Sequence, residues 1–387
     1  MIKTIEFQSS ALLPALSLAG KVISNKSPMP ILETFRIEAE GNNTLSITAS
    51  DSETWLTMIA QVTCAPKGLV FCIDAKSLLQ VVSNLNNKEI VAEIDEAKKT
   101  ITFRYDKGHC QLPYSDADVY PKPKEMEWQE AKSIPTKILY DSIGRASFAV
   151  ANEELRQVMN GVHFDFLEDG DVISVATDAR KLVRMRHYAV TSAPSEAKSF
   201  TLPTKPCNIL LGLLQKVSDN GKEGVVNYAT DEKNVKFVTD SFVVVSRLVD
   251  GRYPNYNAVI PQESSKRAVI NKEEFVSALK HVLPMSSQQT QLIALRFATV
   301  ITTGVDVIAQ DVDFSRTAQE HVECEYTGDD VTIGFNGSSL LQLVQNIATE
   351  KIIIELEDSH RAGVIKESAD NREYDYTSII MPMTINE

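Results

Sequence analysis

Apolar residues recur along the chain with two periods. Near the start, Leu12, Leu16, Ala19, Val22 and Ile23 share one helical face, which predicts a helix over Ser9–Ile23. The same spacing predicts helices over Thr136–Phe148 and Lys272–Val282. Alternating runs rich in Val, Ile, Phe and Thr, such as Thr100–Tyr105 and Lys236–Val245, predict strands. A second helix follows a short strand three times: FCIDAKSLLQVVSNL from Phe71, FTLPTKPCNILLGLLQKV from Phe200 and IGFNGSSLLQLVQNI from Ile333. An alternating strand that ends in an acidic turn also occurs three times, closing at Asp51, Asp178 and Asp311. A further strand after each second helix begins at Lys88, Lys222 and Glu350. Three features in one order, about 130 residues apart, define an internal repeat. They predict three tandem α+β domains, 1–125, 126–256 and 257–387, each with two helices packed on one face of antiparallel sheets. The expected joints are PKPKEME at Pro121–Glu127 and YPNYNAVIPQES at Tyr253–Ser264, both marked by proline.

Composition is that of an ordinary soluble globular chain, with 43% hydrophobic and 24% charged residues. No apolar run reaches the roughly 18 residues of a membrane span. MIKTIEFQSS lacks a basic start followed by an apolar stretch, so no signal peptide is expected. Cys64, Cys72, Cys110, Cys207 and Cys324 are scattered and odd in number, the pattern of reduced thiols in a cytoplasmic protein. Net charge is −13, which taken alone argues against nucleic acid. Its distribution reverses that reading. The six predicted helices with their flanks carry a net +9, so the remainder carries −22. Basic helices on an acidic body predict one surface that meets phosphates and others that repel them. No aromatic platform accompanies these lysines, so the contact expected is with duplex backbone, independent of sequence and sensitive to salt.

Catalysis finds no support. GxSxG, GxxxxGK[ST], HExxH and GxGxxG are all absent, and the six histidines stand alone without metal-ligand spacing. The acidic turns at Asp51, Asp178 and Asp311 recur in every repeat, which favours side chains that bond nearby backbone amides over metal sites. No enzyme activity, cofactor or metal is expected.

Four segments carry a family resemblance: ATDARKLVRM (Ala176–Met185), RLVDGRYPNYNAVIP (Arg247–Pro261), FNGSSLL (Phe335–Leu341) and IIMPM (Ile379–Met383). Together with three repeats of the right length, they resemble the bacterial DNA polymerase III beta subunit, the sliding clamp, across essentially the whole chain. The resemblance implies a DNA-clamp fold and a head-to-tail homodimer whose six domains form a ring. Its helices would line a pore around double-stranded DNA. It also implies a pocket between the second and third domains that takes short linear motifs of the DNA polymerase III alpha subunit, the clamp loader, other polymerases and repair proteins. By position the pocket would be walled by Met159, Thr177, Ala179, Arg180 and Leu182, by Pro254 and Val259, and by Ile379, Ile380, Met381, Pro382 and Met383. Leu, Met, Val and Pro make an apolar slot, and Met adapts to varied peptides. Departures from the family pattern fall at Ala179-Arg180-Lys181, at Ser339 and in the tail Thr384–Glu387. Lys181 lacks the bidentate geometry of an arginine.

Candidate DNA contacts are Lys26 in the loop after the first helix, Lys76, Lys137, Arg145, Arg156, Lys205, Lys216, Lys272 and Lys280. Of these Arg156 matches a family position, and helix location and charge place the rest. The dimer edge maps onto Cys110 and Leu112 on one side and onto Leu283, Pro284 and Met285 on the other.

Overall fold

The helices start where side chains can cap them. Asp74 accepts a bond from the Ser77 amide at 2.7 Å, which opens a helix over Ala75–Asn84. Asn271 accepts from the amides of Glu273 and Glu274 before Lys272–Val282, and Asn336 accepts from Ser339 before Gly337–Gln345. The structure, a computed structural model, describes residues 2–24, 27, 29–85, 87–123, 131–190, 198–219, 224–298, 304–368 and 373–385, without the side chains of 154, 155 and 216–219. Among the described residues there are six α-helices: α1 Ser9–Gly20, α2 Ala75–Asn84, α3 Thr136–Gly144, α4 Thr204–Asp219, α5 Lys272–Val282 and α6 Gly337–Gln345. Two of them stop short of their expected ends. After α1, Lys21 and Val22 donate to carbonyls three residues back, so the last turn tightens instead of extending to Ile23. After α3, Ser147–Ala149 forms a separate 3-10 turn.

Antiparallel strands form two sheets of twelve. The first runs in the order Ile2–Gln8, Glu89–Asp95, Thr100–Tyr105, Gly108–Ser115, Val70–Asp74, Thr34–Gly41, Thr44–Ser50, Thr54–Gln61, Phe242–Arg247, Asn234–Val238, Val225–Thr230, Lys132–Pro135. The second runs Lys198–Pro203, Gly161–Phe166, Val172–Thr177, Lys181–His187, Tyr374–Ile380, Gly363–Glu367, Lys351–Leu356, Lys266–Asn271, Arg316–Thr327, Gly304–Asp311, Leu292–Ala298, Val331–Asn336. Each sheet therefore joins strands of two repeats. Leu56 pairs with Val244 in the first, and Leu182 with Ile379 in the second. The chain divides accordingly into two compact units, 1–140 with 205–248 and 141–204 with 249–387, so the central repeat gives half its strands to each.

Inside each unit a helix pair covers the sheet. In the first, α1 and α2 pack together, and α1 lies on Thr44–Ser50 and Thr54–Gln61. In the second, α5 and α6 pack together, with α5 on Gly304–Asp311 and Arg316–Thr327. The buried faces follow helical periodicity, as with Phe275, Ala278, Leu279 and Val282 of α5. Thr34–Gly41 and Thr54–Gln61 alternate buried and half-exposed positions, the pattern of a sheet covered by helices on one face, whereas Val172–Thr177 is buried throughout. The acidic turns are local staples. Asp51 accepts from the amides of Glu53 and Thr54, Asp178 from Arg180 and Lys181, and Asp311 from Phe314.

Candidate functional site

The acidic turn of the central repeat builds one wall of a cavity in the second unit. Asp178 Oδ1 accepts the amides of Arg180 and Lys181, both at 2.8 Å. Its Oδ2 accepts from Lys181 Nζ at 2.7 Å. Thr177 Oγ1 donates to the Lys181 carbonyl at 2.8 Å and accepts from the Ala179 amide at 3.0 Å. Every residue of the turn is thereby tied, and Ala179 is held at φ 70°, the left-handed region. Burial pushes the Asp178 carboxyl up, but the Lys181 ammonium and the two amides outweigh it and hold the group below the usual aspartate range.

The last strand runs alongside. Lys181 pairs with Ile380 and Leu182 with Ile379, and the Met381 amide donates to the Arg180 carbonyl at 2.8 Å. The third wall is Pro254–Val259. Together they enclose a cavity of about 190 Å³, lined by Met159, Thr177, Ala179, Arg180, Lys181, Leu182, Pro254, Asn255, Tyr256, Val259, Ile379 and Met381. Its floor belongs to a buried cluster that includes Leu182, Tyr256 and Ile379. At the mouth, Val259 is 52% and Met381 45% exposed. Large apolar side chains left in solvent beside an apolar cleft mark a surface for another molecule.

Nine of the twelve expected pocket residues line this cavity. The other three do not. Ile380, one residue beyond Ile379 on a strand, points to the opposite face and is 2% exposed. Pro382 and Met383 continue past the cavity, and the Met383 amide donates to the Gly334 carbonyl at 2.8 Å, so the tail is fastened to strand Val331–Asn336. Ser339 sits in the first turn of α6 and is not among the lining residues. Sequence reasoning did not place Asn255 or Tyr256 on the wall, and it singled out Lys181 only as a departure from the family pattern. All three lie inside the segments that carried the resemblance, and alternation along Lys181-Leu182 was the signal that hid Lys181.

The candidate DNA contacts separate into two groups. Lys76, Lys137 and Lys280 are exposed and have no ion pair among the described residues. Arg145 is different, because its charge is already engaged inside the fold. Its guanidinium is ion-paired with Glu367, with side chains 16% and 6% exposed, and lies 4.1 Å from the centre of the Tyr376 ring. Lys205 is likewise engaged, with Nζ paired to Asp51 and donating to the Val22 carbonyl at 2.6 Å. Lys272 Nζ donates to the Ile347 carbonyl at 3.0 Å, just past the end of α6. Arg156 is exposed and donates to the Asp178 carbonyl at 3.3 Å, beside the cavity. In these four cases a basic side chain near a helix finds an internal acceptor that lies far off in sequence. Lys26 lies outside the described residues, as does the side chain of Lys216.

Cys110 and Leu112 are half-buried on strand Gly108–Ser115. Among the described residues, its residues 108–113 pair on one side only, with Thr100–Tyr105; on the other side the ladder is limited to Tyr114 and Ser115. Leu283, Pro284 and Met285 form a 3-10 turn beside strand Arg316–Thr327, with Pro284 and Met285 exposed. Among the described residues, 316–323 of that strand also pair on one side only, since Lys266–Asn271 joins it from Cys324 onward. Among the described residues no helix is long and apolar enough to cross a membrane, and no cluster of three potential metal ligands occurs.

A tandem array of helix-pair-on-sheet repeats, with sheets continuous from one repeat to the next, defines the class of DNA clamps. Comparison with known proteins agrees. Family models of the DNA polymerase III beta subunit match in tandem: the N-terminal domain over residues 4–124, the central domain over 133–255 and the C-terminal domain over 257–384. The chain is 27% identical to the beta sliding clamp of Pseudomonas aeruginosa, over 98% of this chain and 99% of that one. It is 28% identical to the beta sliding clamp of Treponema pallidum, over 97% and 98%. Among solved structures, the Pseudomonas aeruginosa sliding clamp bound to griselimycin superposes with a TM-score of 0.90 at 25% identity, covering 99% of this chain and all of that one. The chain belongs to the DNA polymerase III beta subunit family, the sliding clamps that act as processivity factors of the replicative polymerase in DNA replication.

Proposed function

We propose that two copies of the chain close head to tail into a ring around duplex DNA, and that each copy tethers its partners through the cavity of the second unit. The observation that carries the tethering role is the cavity itself. It has an apolar floor of Leu182, Tyr256 and Ile379, two exposed apolar side chains at its mouth and Arg180 on its rim. A short segment with a few large apolar anchors suits such a slot, because buried anchors usually carry most of the binding energy. The partners are short linear motifs of the DNA polymerase III alpha subunit, the clamp loader, other polymerases and repair proteins. The wall residues are the nine named from the sequence that line the cavity, joined by Lys181, Asn255 and Tyr256.

The ring rests on the two half-paired edges. Gly108–Pro113 with Cys110 and Leu112, and Arg316–Glu323 beside Leu283–Met285, each offer unpaired backbone on a strand, the usual template for sheet extension between chains. Domains 1–125, 126–256 and 257–387 give six domains per dimer, and a closed symmetric assembly is the common outcome for such contacts. Lys76, Lys137 and Lys280 supply weak backbone contacts to DNA, with retention topological and independent of sequence. The protein has no catalytic activity of its own and works in the cytoplasm. The tethering role is tested by fluorescence anisotropy with a labelled peptide carrying Leu and Phe near its C-terminus. Val259→Asp, at the exposed mouth of the cavity, is expected to abolish binding while the mass in solution stays at twice 42.9 kDa. Wild-type affinity in that variant would overturn the assignment.

A further inference from the structure

The linker that forms the third wall of the cavity is fastened from beneath by a polar network that the pocket itself does not use. Tyr256 contributes its ring to the cavity lining and turns its hydroxyl away, donating to Asp165 Oδ2 at 2.6 Å. Asp165 Oδ1 stands 3.1 Å from His163 Nε2, and His163 Nδ1 stands 2.9 Å from Thr201 Oγ1. The His163 ring stacks on Tyr253 with centroids 4.3 Å apart and planes 7° from parallel. His163 and Thr201 are buried, as are Tyr253 and Tyr256, while the Asp165 side chain between them stays 22% exposed. None of the four groups Thr201, His163, Asp165 and Tyr256 reaches the cavity except through the tyrosine ring.

We infer that Asp165 and His163 are positioning residues for partner binding, which set the Tyr256 ring and the Pro254–Val259 wall in the geometry that a peptide anchor meets. The inference rests on the tethering role of the cavity. Its physical basis is preorganisation. A wall held before the partner arrives costs the complex no ordering, whereas a loose one must be ordered on binding. Apolar packing of Tyr253, Tyr256 and Ile260 in the buried cluster anchors the linker, but the 3-10 turn over Tyr256–Val259 has no side-chain cap and Val259 is exposed, so the hydroxyl–carboxylate bond is the directional contact that sets the ring. The carboxylate–tyrosine bond is charge-assisted and partly shielded, so cutting it costs more than cutting a neutral surface bond.

The test measures affinity and dissociation rate of the labelled Leu- and Phe-bearing peptide on the intact protein. Tyr256→Phe removes the hydroxyl and keeps the ring in place. Asp165→Ala removes the acceptor, and Asp165→Asn keeps an acceptor oxygen. Tyr256→Phe and Asp165→Ala are each expected to weaken the peptide about tenfold, chiefly through faster dissociation, and the double variant no further. Asp165→Asn is expected to recover most of the loss, an outcome that general loss of packing would not produce. If Asp165→Ala does not fold, Tyr256→Phe and Asp165→Asn carry the comparison. Affinities within twofold of wild type in Tyr256→Phe and Asp165→Ala, with Val259→Asp abolishing binding, would overturn the positioning role and leave the pocket standing. Full affinity in Val259→Asp would remove the pocket itself.

Discussion

The backbone amide of Met381 donates to the carbonyl of Arg180 at 2.8 Å, so the last strand carries its pairing with Lys181–His187 one residue further and delivers the Met381 side chain to the cavity mouth. Two residues on, Met383 is bonded to Gly334 instead. The two methionines of the same MPM triplet should therefore differ. Met381→Ala is expected to weaken the peptide by about 1–3 kcal/mol, the range for a buried apolar anchor. Met383→Ala should cost clearly less. Deleting residues 381–387 should abolish peptide binding and leave the dimer intact. Calorimetric titration of the three variants decides this, and equal losses for the two methionines would contradict the observed tail path.

Ala179 makes a second prediction. At φ 70° a Cβ is crowded, and an alanine costs about 1 kcal/mol relative to glycine. Ala179→Gly should stabilise the second unit by roughly 0.5–1 kcal/mol in urea unfolding, and Ala179→Val should destabilise it by more. A loss of stability on Ala179→Gly would mean that the turn is not held in the left-handed region.

Arg145 and Lys137 lie on or just after the same helix and should behave differently. Breaking a buried ion pair leaves Glu367 uncompensated, so Arg145→Ala should cost about 3–5 kcal/mol of stability. Lys137 is exposed without an ion pair among the described residues, so Lys137→Glu should leave stability within about 0.5 kcal/mol. Combined with Lys76→Glu and Lys280→Glu, it should shorten residence on circular DNA. Thermal unfolding and retention measured side by side test the division.

The central repeats of pattern were legible because they depend on neighbours in sequence. Helical spacing at Leu12–Ile23, caps such as Asp74, and the acidic turn at Asp178 are all set within a few residues. So were Leu182 and Ile379, which came from recognisable motifs. What escaped was long-range. The charge of Arg145 was plain, but its partner Glu367 is 222 residues away. Tyr256 and Asp165 are 91 residues apart, and nothing in either segment announces the other. The pairing of the repeats into shared sheets was also hidden, because an edge strand and an inner strand read alike when both alternate.

Acid should loosen the pocket selectively. Burial pushes the Asp165 carboxyl up, but bonds from His163 and Tyr256 outweigh it and hold it below the usual range, as Lys181 and the turn amides do for Asp178. A folded value below the unfolded one means that the stabilisation is complete above the ordinary aspartate pKa of about 3.9 and is lost as pH falls through the folded values. The stability gap between wild type and an Asp165→Asn, Asp178→Asn variant should be full at pH 6 and shrink below about pH 4. A gap independent of pH, followed by urea unfolding, would contradict the assignment.

Retention on DNA tests the ring most directly. Protein loaded onto a closed circular duplex should stay associated through gel filtration in salt that abolishes direct binding, and should be released when a single cut linearises the circle. Salt-resistant association that survives linearisation, or no retention on the closed circle after loading, would contradict a clamp that holds DNA by encircling it.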